Sequence, residues 1–273
     1  MRTILSHSRM ARACAVAGAV ATPVAWAQFE PPVEAIEANL VGIGVGSVPD
    51  YSGSSNSETA LAPILRYQFE GSKRYVLWLG PKVQLNLIDD STWRAGPMIV
   101  LRPKRDSDVD DAIVSQMKEV DSEVAGGAFV QYNLKLSARK LHQLVFSGDV
   151  VGAGNGTVAN LRLTYWHPFS EGIFGNIGVG VSYANAEYNR TYYGVDGSDI
   201  ALFPSLGGQA YDPGSDTSIN VPFGISFALS RSWLLSAGGR YEHLGSEAKD
   251  SPIVSERGDS SQWIYGIGVS YLF

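Results

Sequence analysis

Seven basic side chains, Arg66, Lys82, Arg94, Arg102, Lys135, Arg162 and Arg240, recur on the polar parity of alternating segments, with Glu70, Asp149 and Glu242 as acidic counterparts. Gathered inside a low-dielectric tube, Arg and Lys attract anions, so one chemistry for this set is a weakly anion-favouring passage. The same groups can instead pair with the acids and with inward-folded loops to plug a narrow barrel. Both readings require the charges to share a lumen. His142, His167 and His243 are joined by no Gly-x-Ser-x-Gly or His-Glu-x-x-His pattern. A hydrolase needs a nucleophile, a base and an orienting group together, so no catalytic residue is expected. Asp106, Asp108, Asp110 and Asp111 crowd one loop, and Asp196, Asp199, Asp212 and Asp216 another. Carboxylates so spaced can ligate Ca²⁺ or Mg²⁺. The first run lacks the glycine and terminal glutamate of an EF-hand, however, and solvated acidic loops without metal or cofactor are the expectation.

The elements that must position these charges are strands. In residues 263–273, Trp263, Tyr265, Ile267, Val269, Tyr271 and Phe273 alternate with Ile264, Gly266, Gly268, Ser270 and Leu272. A soluble sheet turns its charged residues to water, whereas this second face is small and uncharged, a pattern that suits lipid outside and a lumen inside. The alternation recurs along the chain, as in Val41, Ile43 and Val45 against Gly42, Gly44 and Gly46. The stretch from Tyr75 to Leu87 reads as one strand, with Tyr75, Leu77, Leu79, Val83, Leu85 and Leu87 on its apolar parity. A β-sandwich or lipocalin-like barrel would also alternate, but many strands here reach the length a tilted strand needs to cross a membrane. Eleven strands are legible, and a bacterial single-chain barrel with both termini on one side has an even number. The sequence therefore predicts an all-β fold, a transmembrane antiparallel up-and-down β-barrel of ten or twelve strands, with one segment before Asp121 misdivided. Short connections at 137–140, 167–172 and 230–232 suit periplasmic turns. Those at 103–121, 189–215 and 245–261 suit surface loops.

Arg2, Arg9 and Arg12 precede an apolar run at 13–24 that closes with Ala25, Trp26 and Ala27, the layout of a cleaved export signal. The expected organisation is a signal peptide at 1–27, a short periplasmic segment at 28–38 and an outer-membrane barrel at 39–273. The single cysteine, Cys14, falls in the first of these. Removing the three arginines leaves 18 basic against 27 acidic residues, a formal charge of −9, which recruits no nucleic acid. A chain closing on an aromatic after alternating apolar residues resembles the terminal signal by which outer-membrane barrels are recognised for insertion. That likeness makes Tyr271 and Phe273 the candidate assembly signal. The partners expected from location are outer-membrane lipid and lipopolysaccharide.

Further residues carry a family likeness. Gly42 to Gly46, then Pro49, Asp50, Tyr51, Ser52, Gly53 and Ser54, then Pro63, the Gly96–Pro97 step, Arg102 and Arg105 resemble the amino-terminal half of the MipA/OmpV family of outer-membrane proteins. Tyr188, Tyr192, Tyr193, Gly194 and Val195, then Asp250, Ser251, Pro252, Ile253 and Val254, and the closing Tyr271, Leu272 and Phe273 resemble its carboxy-terminal half. The resemblance implies a non-enzymatic scaffold joining a lytic murein transglycosylase to a penicillin-binding protein. Other members are surface antigens and adhesins, so a loop-borne adhesin and a small-solute channel stand beside the scaffold as alternatives.

Overall fold

The computed structural model describes Val33, residues 36–139 and residues 141–273. The signal read at 1–27 and most of the segment at 28–38 lie outside them. Twelve strands form one closed antiparallel barrel: β1 (Leu40–Pro49), β2 (Ser57–Gln68), β3 (Tyr75–Leu79), β4 (Lys82–Asn86), β5 (Trp93–Arg102), β6 (Glu123–Lys135), β7 (Gln143–Ala153), β8 (Gly156–Ser170), β9 (Ile173–Ala184), β10 (Asp216–Ala228), β11 (Trp233–His243) and β12 (Ser261–Leu272). Each strand pairs with its neighbours in sequence, and β12 closes on β1 with Val41 opposite Tyr271 and Val45 opposite Ile267.

Period-two alternation sets the facing. Val41, Ile43, Ile177, Val179, Ile219 and Ile267 stand outward and exposed, the band that lipid covers. Aromatics stand at both ends of this band: Trp93, Tyr132 and Phe146 stack in line near the short turns, the end that faces the periplasm by the rule for outer-membrane barrels, and Tyr241 packs on Trp263 at the other.

The strand from Tyr75 to Leu87 is in fact two. Gly80, with φ of 53°, and Pro81 turn the chain, so that β3 pairs antiparallel with β4 and Leu79 faces Lys82. This hairpin is the twelfth strand that parity demanded. It also reverses part of the expected facing, because partners across a hairpin share a face. Tyr75, Leu77 and Leu79 point inward and are buried, while Trp78 points out. Two smaller readings change as well. Glu70 sits exposed in the β2–β3 turn, and His167 belongs to β8, whose turn is only Glu171 and Gly172.

The long connections lie at one end and fold together. They include α1 (Ala186–Tyr193), started by the Asn185 side chain accepting the Tyr188 N–H, and the short helices α2 (Ser246–Lys249) and α3 (Pro252–Ser255). Tyr51, Val109, Val114, Met117, Val195, Phe203 and Ile253 form an apolar core within this cap, drawn from four connections. A second cluster, with Tyr192, Tyr193, Leu244 and Val254, seats the cap on the barrel mouth.

Candidate functional site

Between the cap and the periplasmic turns lies the interior that the charges were expected to share. At its periplasmic end the inward residues are apolar: Leu40, Ile64, Tyr75, Leu77, Leu79, Trp166, Phe174 and Leu234 pack with Val33 of the N-terminal segment, each less than a tenth exposed. This is a filled floor, and β3 supplies three of its eight larger side chains. Two arginines lie against it. Arg66, 1 % exposed, stacks on the Tyr75 ring at 4.4 Å and donates to the Ala38 carbonyl at 3.1 Å and to Gln68 Oε1. Arg94 meets Glu37 Oε1 at 3.3 Å, and Lys73 holds the other oxygen of the same carboxylate at 3.3 Å. Burial alone would raise the Glu37 pKa, but the cations Lys73, Arg94 and Arg66 outweigh it and hold the carboxyl below its usual range.

Above the floor is a cavity of about 180 Å³ lined by Lys82, Arg102, Arg162 and Arg240 together with Asp149, Asp216 and Glu242. The groups are paired. Arg102 Nη1 lies 3.2 Å from Glu123 Oε2 and donates to the Gly156 carbonyl at 3.0 Å, and its Nη2 donates to the Val151 carbonyl at 3.3 Å. Its guanidinium rests 5.2 Å from the centre of the Tyr188 ring, which binds α1 to the wall. Arg240 Nη2 meets Glu242 Oε2 at 3.2 Å, and Asn160 donates to Asp149 at 2.7 Å. Lys135 ends β6 exposed at the periplasmic rim, outside this cluster. The carboxylates that meet Arg94 and Arg102, Glu37 and Glu123, were not legible as partners in the sequence. Glu37 precedes the first strand, and Glu123 sits at the junction of a long loop with β6. Tyr271 and Phe273 are exposed on the outer surface, with the Phe273 N–H donating to the Asn39 carbonyl at 3.0 Å.

The acidic loop is built into the cap. Lys104 bridges Asp106 and Asp108, the Asp110 N–H donates to Asp50 Oδ2 at 2.7 Å, and Asp111 takes Arg257 through Nε and Nη2, the latter at 2.7 Å. Burial raises the Asp111 pKa, but the Arg257 hydrogen bond and the Ile113 and Val114 N–H groups more than offset it, so the group titrates below the normal carboxylate range. A depressed folded pKa gives stability that is present above the unfolded value, about 3.9, and lost as pH falls through the folded value. Proteolysis of the 103–122 loop is therefore expected to accelerate below about pH 4. Arg257→Ala should make that loop labile already at neutral pH, as followed by peptide mapping.

On the outer surface near the periplasm, His142 Nε2 and His167 Nδ1 approach the Tyr165 hydroxyl at 3.2 and 2.8 Å, and Ser137 Oγ lies 2.8 Å from His142 Nδ1. This is an interfacial polar cluster that sequence spacing did not reveal.

The family model described as MltA-interacting protein MipA matches residues 41–273. The outer membrane protein Omp26La of Vibrio anguillarum is 27 % identical over 129 residues, covering 47 % of this chain and 47 % of that protein. The MltA-interacting protein of Escherichia coli strain K12 is 27 % identical over 127 residues, 46 % of this chain and 48 % of that one. The aligned part spans about half the length of these curated relatives. Among solved structures, the NanC porin aligns with a TM-score of 0.46 at 10 % identity, over 86 % of this chain and 99 % of that one. The β domain of the Bordetella autotransporter BrkA aligns with a TM-score of 0.41 at 12 % identity, over 87 % and 100 %.

Proposed function

Because the chain belongs to the MltA-interacting protein MipA family of outer-membrane β-barrels, we propose that it is a non-enzymatic scaffold that docks murein-remodelling enzymes at its periplasmic end. The partners in this reading are a lytic murein transglycosylase and a penicillin-binding protein. The observation that supports it best is the floor. An end packed with Tyr75, Leu77, Trp166 and Phe174 and tied to Glu37 is a poor entrance for solutes and a well-formed base for a partner. The docking surface would then be the rim of short turns, with Lys73, Glu37, Lys135 and Arg139 at its edge. Tyr271 and Phe273 serve assembly in this reading and take no part in docking.

The test is saturable binding of a lytic murein transglycosylase to the immobilised, folded barrel by surface plasmon resonance. Affinity should fall at least tenfold in Lys73→Glu/Lys135→Glu. Absence of saturable binding by barrel that keeps its heat-modifiable gel mobility would overturn the scaffold reading. A planar bilayer decides the channel alternative, and electrical silence is expected. Steady conductance whose anion preference falls in Arg94→Glu/Arg240→Glu would make the charged interior a passage. The cohesive cap favours a second reading, a surface adhesin, since loops with their own apolar core present a fixed exterior.

A further inference from the structure

The barrel wall is incomplete on one side of its extracellular half. The β3–β4 hairpin is short: β2 pairs with β3 only from Ile64 to Gln68, and β4 pairs with β5 only from Gln84 to Lys82. Above the Gly80–Pro81 turn two strands are missing from the wall, at about 4.8 Å of width each. The turn forms a sill bonded to both sides, through Gly80 N–H to the Pro63 carbonyl and Leu101 N–H to the Pro81 carbonyl, each 2.9 Å. Asp110 N–H on Asp50 closes the opening above.

The β2 side of this window is a bare sheet edge. In an antiparallel ladder the N–H and C=O of one residue point to the same side, and that side alternates along the strand. The Pro63 carbonyl points toward β3, so those of Leu61 and Thr59 point the same way, and among the described residues no strand meets them. Their place against the membrane follows from the exposure of Leu61 and of its register partners. Leu61 lies opposite Val45, which lies opposite Ile267, all three outward and exposed in the lipid band. Thr59 lies two residues nearer the extracellular end of β2, about 5 Å further along the membrane normal for a strand tilted by about 40°.

Behind the window is a cavity of about 100 Å³ that reaches from Glu58, Leu101 and Lys104 at the opening to Val48, Tyr188 and Ile264 inside. It adjoins the charged cavity, with which it shares Arg102, Tyr188, Arg240 and Glu242. Lipid cannot cover a bare strand edge without leaving polar groups unsatisfied, so such an edge is tolerated only beside a polar cavity or a polar partner.

We propose that this window is a lateral binding site for an acylated lipid of the outer leaflet. One chain enters between β2 and Leu101 toward Val48 and Ile264, and the lipid's ester or amide groups meet the backbone of Thr59 and Leu61. The depth assigns the occupant: Leu61 is itself exposed in the apolar band, where the medium outside the wall is acyl chain, and Thr59, one outward step nearer the extracellular girdle, approaches the ester and amide region.

The test uses single-cysteine barrels carrying bimane, reconstituted in phosphatidylcholine vesicles with or without mid-chain bromines. Inward Val48→Cys and Val100→Cys, on opposite sides of the window, should be quenched by brominated chains to within twofold of lipid-facing Val45→Cys. Ser236→Cys, inward on the closed wall, should not be quenched. Adding Leu101→Trp should fill the opening and bring both window positions down to the Ser236 level. If both behave like Ser236 while Val45 is quenched, or respond only to aqueous iodide, the window holds water and the proposal fails. Either position alone decides the matter should the other not fold.

Discussion

Gly96→Val is expected to abolish the folded barrel, with at least a tenfold loss of the heat-modifiable band after refolding into detergent. A Cβ at residue 96 would overlap the Leu85 carbonyl oxygen, a backbone atom that no rotamer change can move away. The site is also the weakest stretch of the wall. Pro97 offers no N–H to β4, and the paired part of the β4–β5 seam is three residues long, supplemented at its ends by Leu87 N–H on the Ala95 carbonyl and Leu101 N–H on the Pro81 carbonyl. A seam with so few bonds has little to set against a displaced strand. Gly126→Val is the control, because a Cβ there meets nothing within 4 Å, and it should refold like the parent.

Arg102→Leu is expected to destabilise the folded protein by about 3–5 kcal/mol, read as a lower guanidinium midpoint at unchanged slope. The arginine is 6 % exposed, and its removal leaves the Glu123 carboxylate and the Gly156 and Val151 carbonyls short of a donor inside the barrel. Removing both charges in Arg102→Leu/Glu123→Leu should recover a large part of the loss, since an apolar pair carries no uncompensated charge. Failure of the double variant to recover would place the cost in the Tyr188 contact and the seating of α1.

The barrel and its membrane facing were legible because lipid and lumen impose opposite demands on alternate residues, and ten of the strands keep that contrast. Tyr75 to Leu87 did not, for a definite reason. A two-residue turn places Leu79 opposite Lys82, so odd positions face in before Gly80 and out after Pro81. Apolar residues at odd positions throughout therefore look like one uninterrupted strand. The contrast failed locally because the inward side of β3 is itself apolar, and it is apolar because it builds the floor. The cap escaped notice on other grounds. Val114, Met117, Phe203 and Ile253 come from separate connections with no strand or long-helix period to mark them, and only tertiary packing joins them. Of the charges, parity placed Arg66, Arg94, Arg102, Arg162, Arg240 and Glu242 on the inward face, while the choice of partner depended on Glu37 and Glu123 at element boundaries.

Eleven of the twelve seams join strands that follow one another in the chain, and one, β1 against β12, joins its two ends. Eight of those eleven hairpins close connections of seven residues or fewer at small entropic cost and can zip independently, whereas the last seam waits for a nearly complete sheet to curl round on itself. Above the Leu40–Leu272 pair, its inner side is Gly42 against Ser270, Gly44 against Gly268 and Gly46 against Gly266. Side chains there do little to select an alignment, and a slip of two residues preserves the inside–outside parity. What fixes the alignment sits at the margin: Phe273 N–H on the Asn39 carbonyl and Leu272 N–H on the Ser232 carbonyl anchor the trailing end of β12 to both neighbours. The end of β12 thus acts as a register stop for ring closure, and errors made there would yield closed barrels of altered shear.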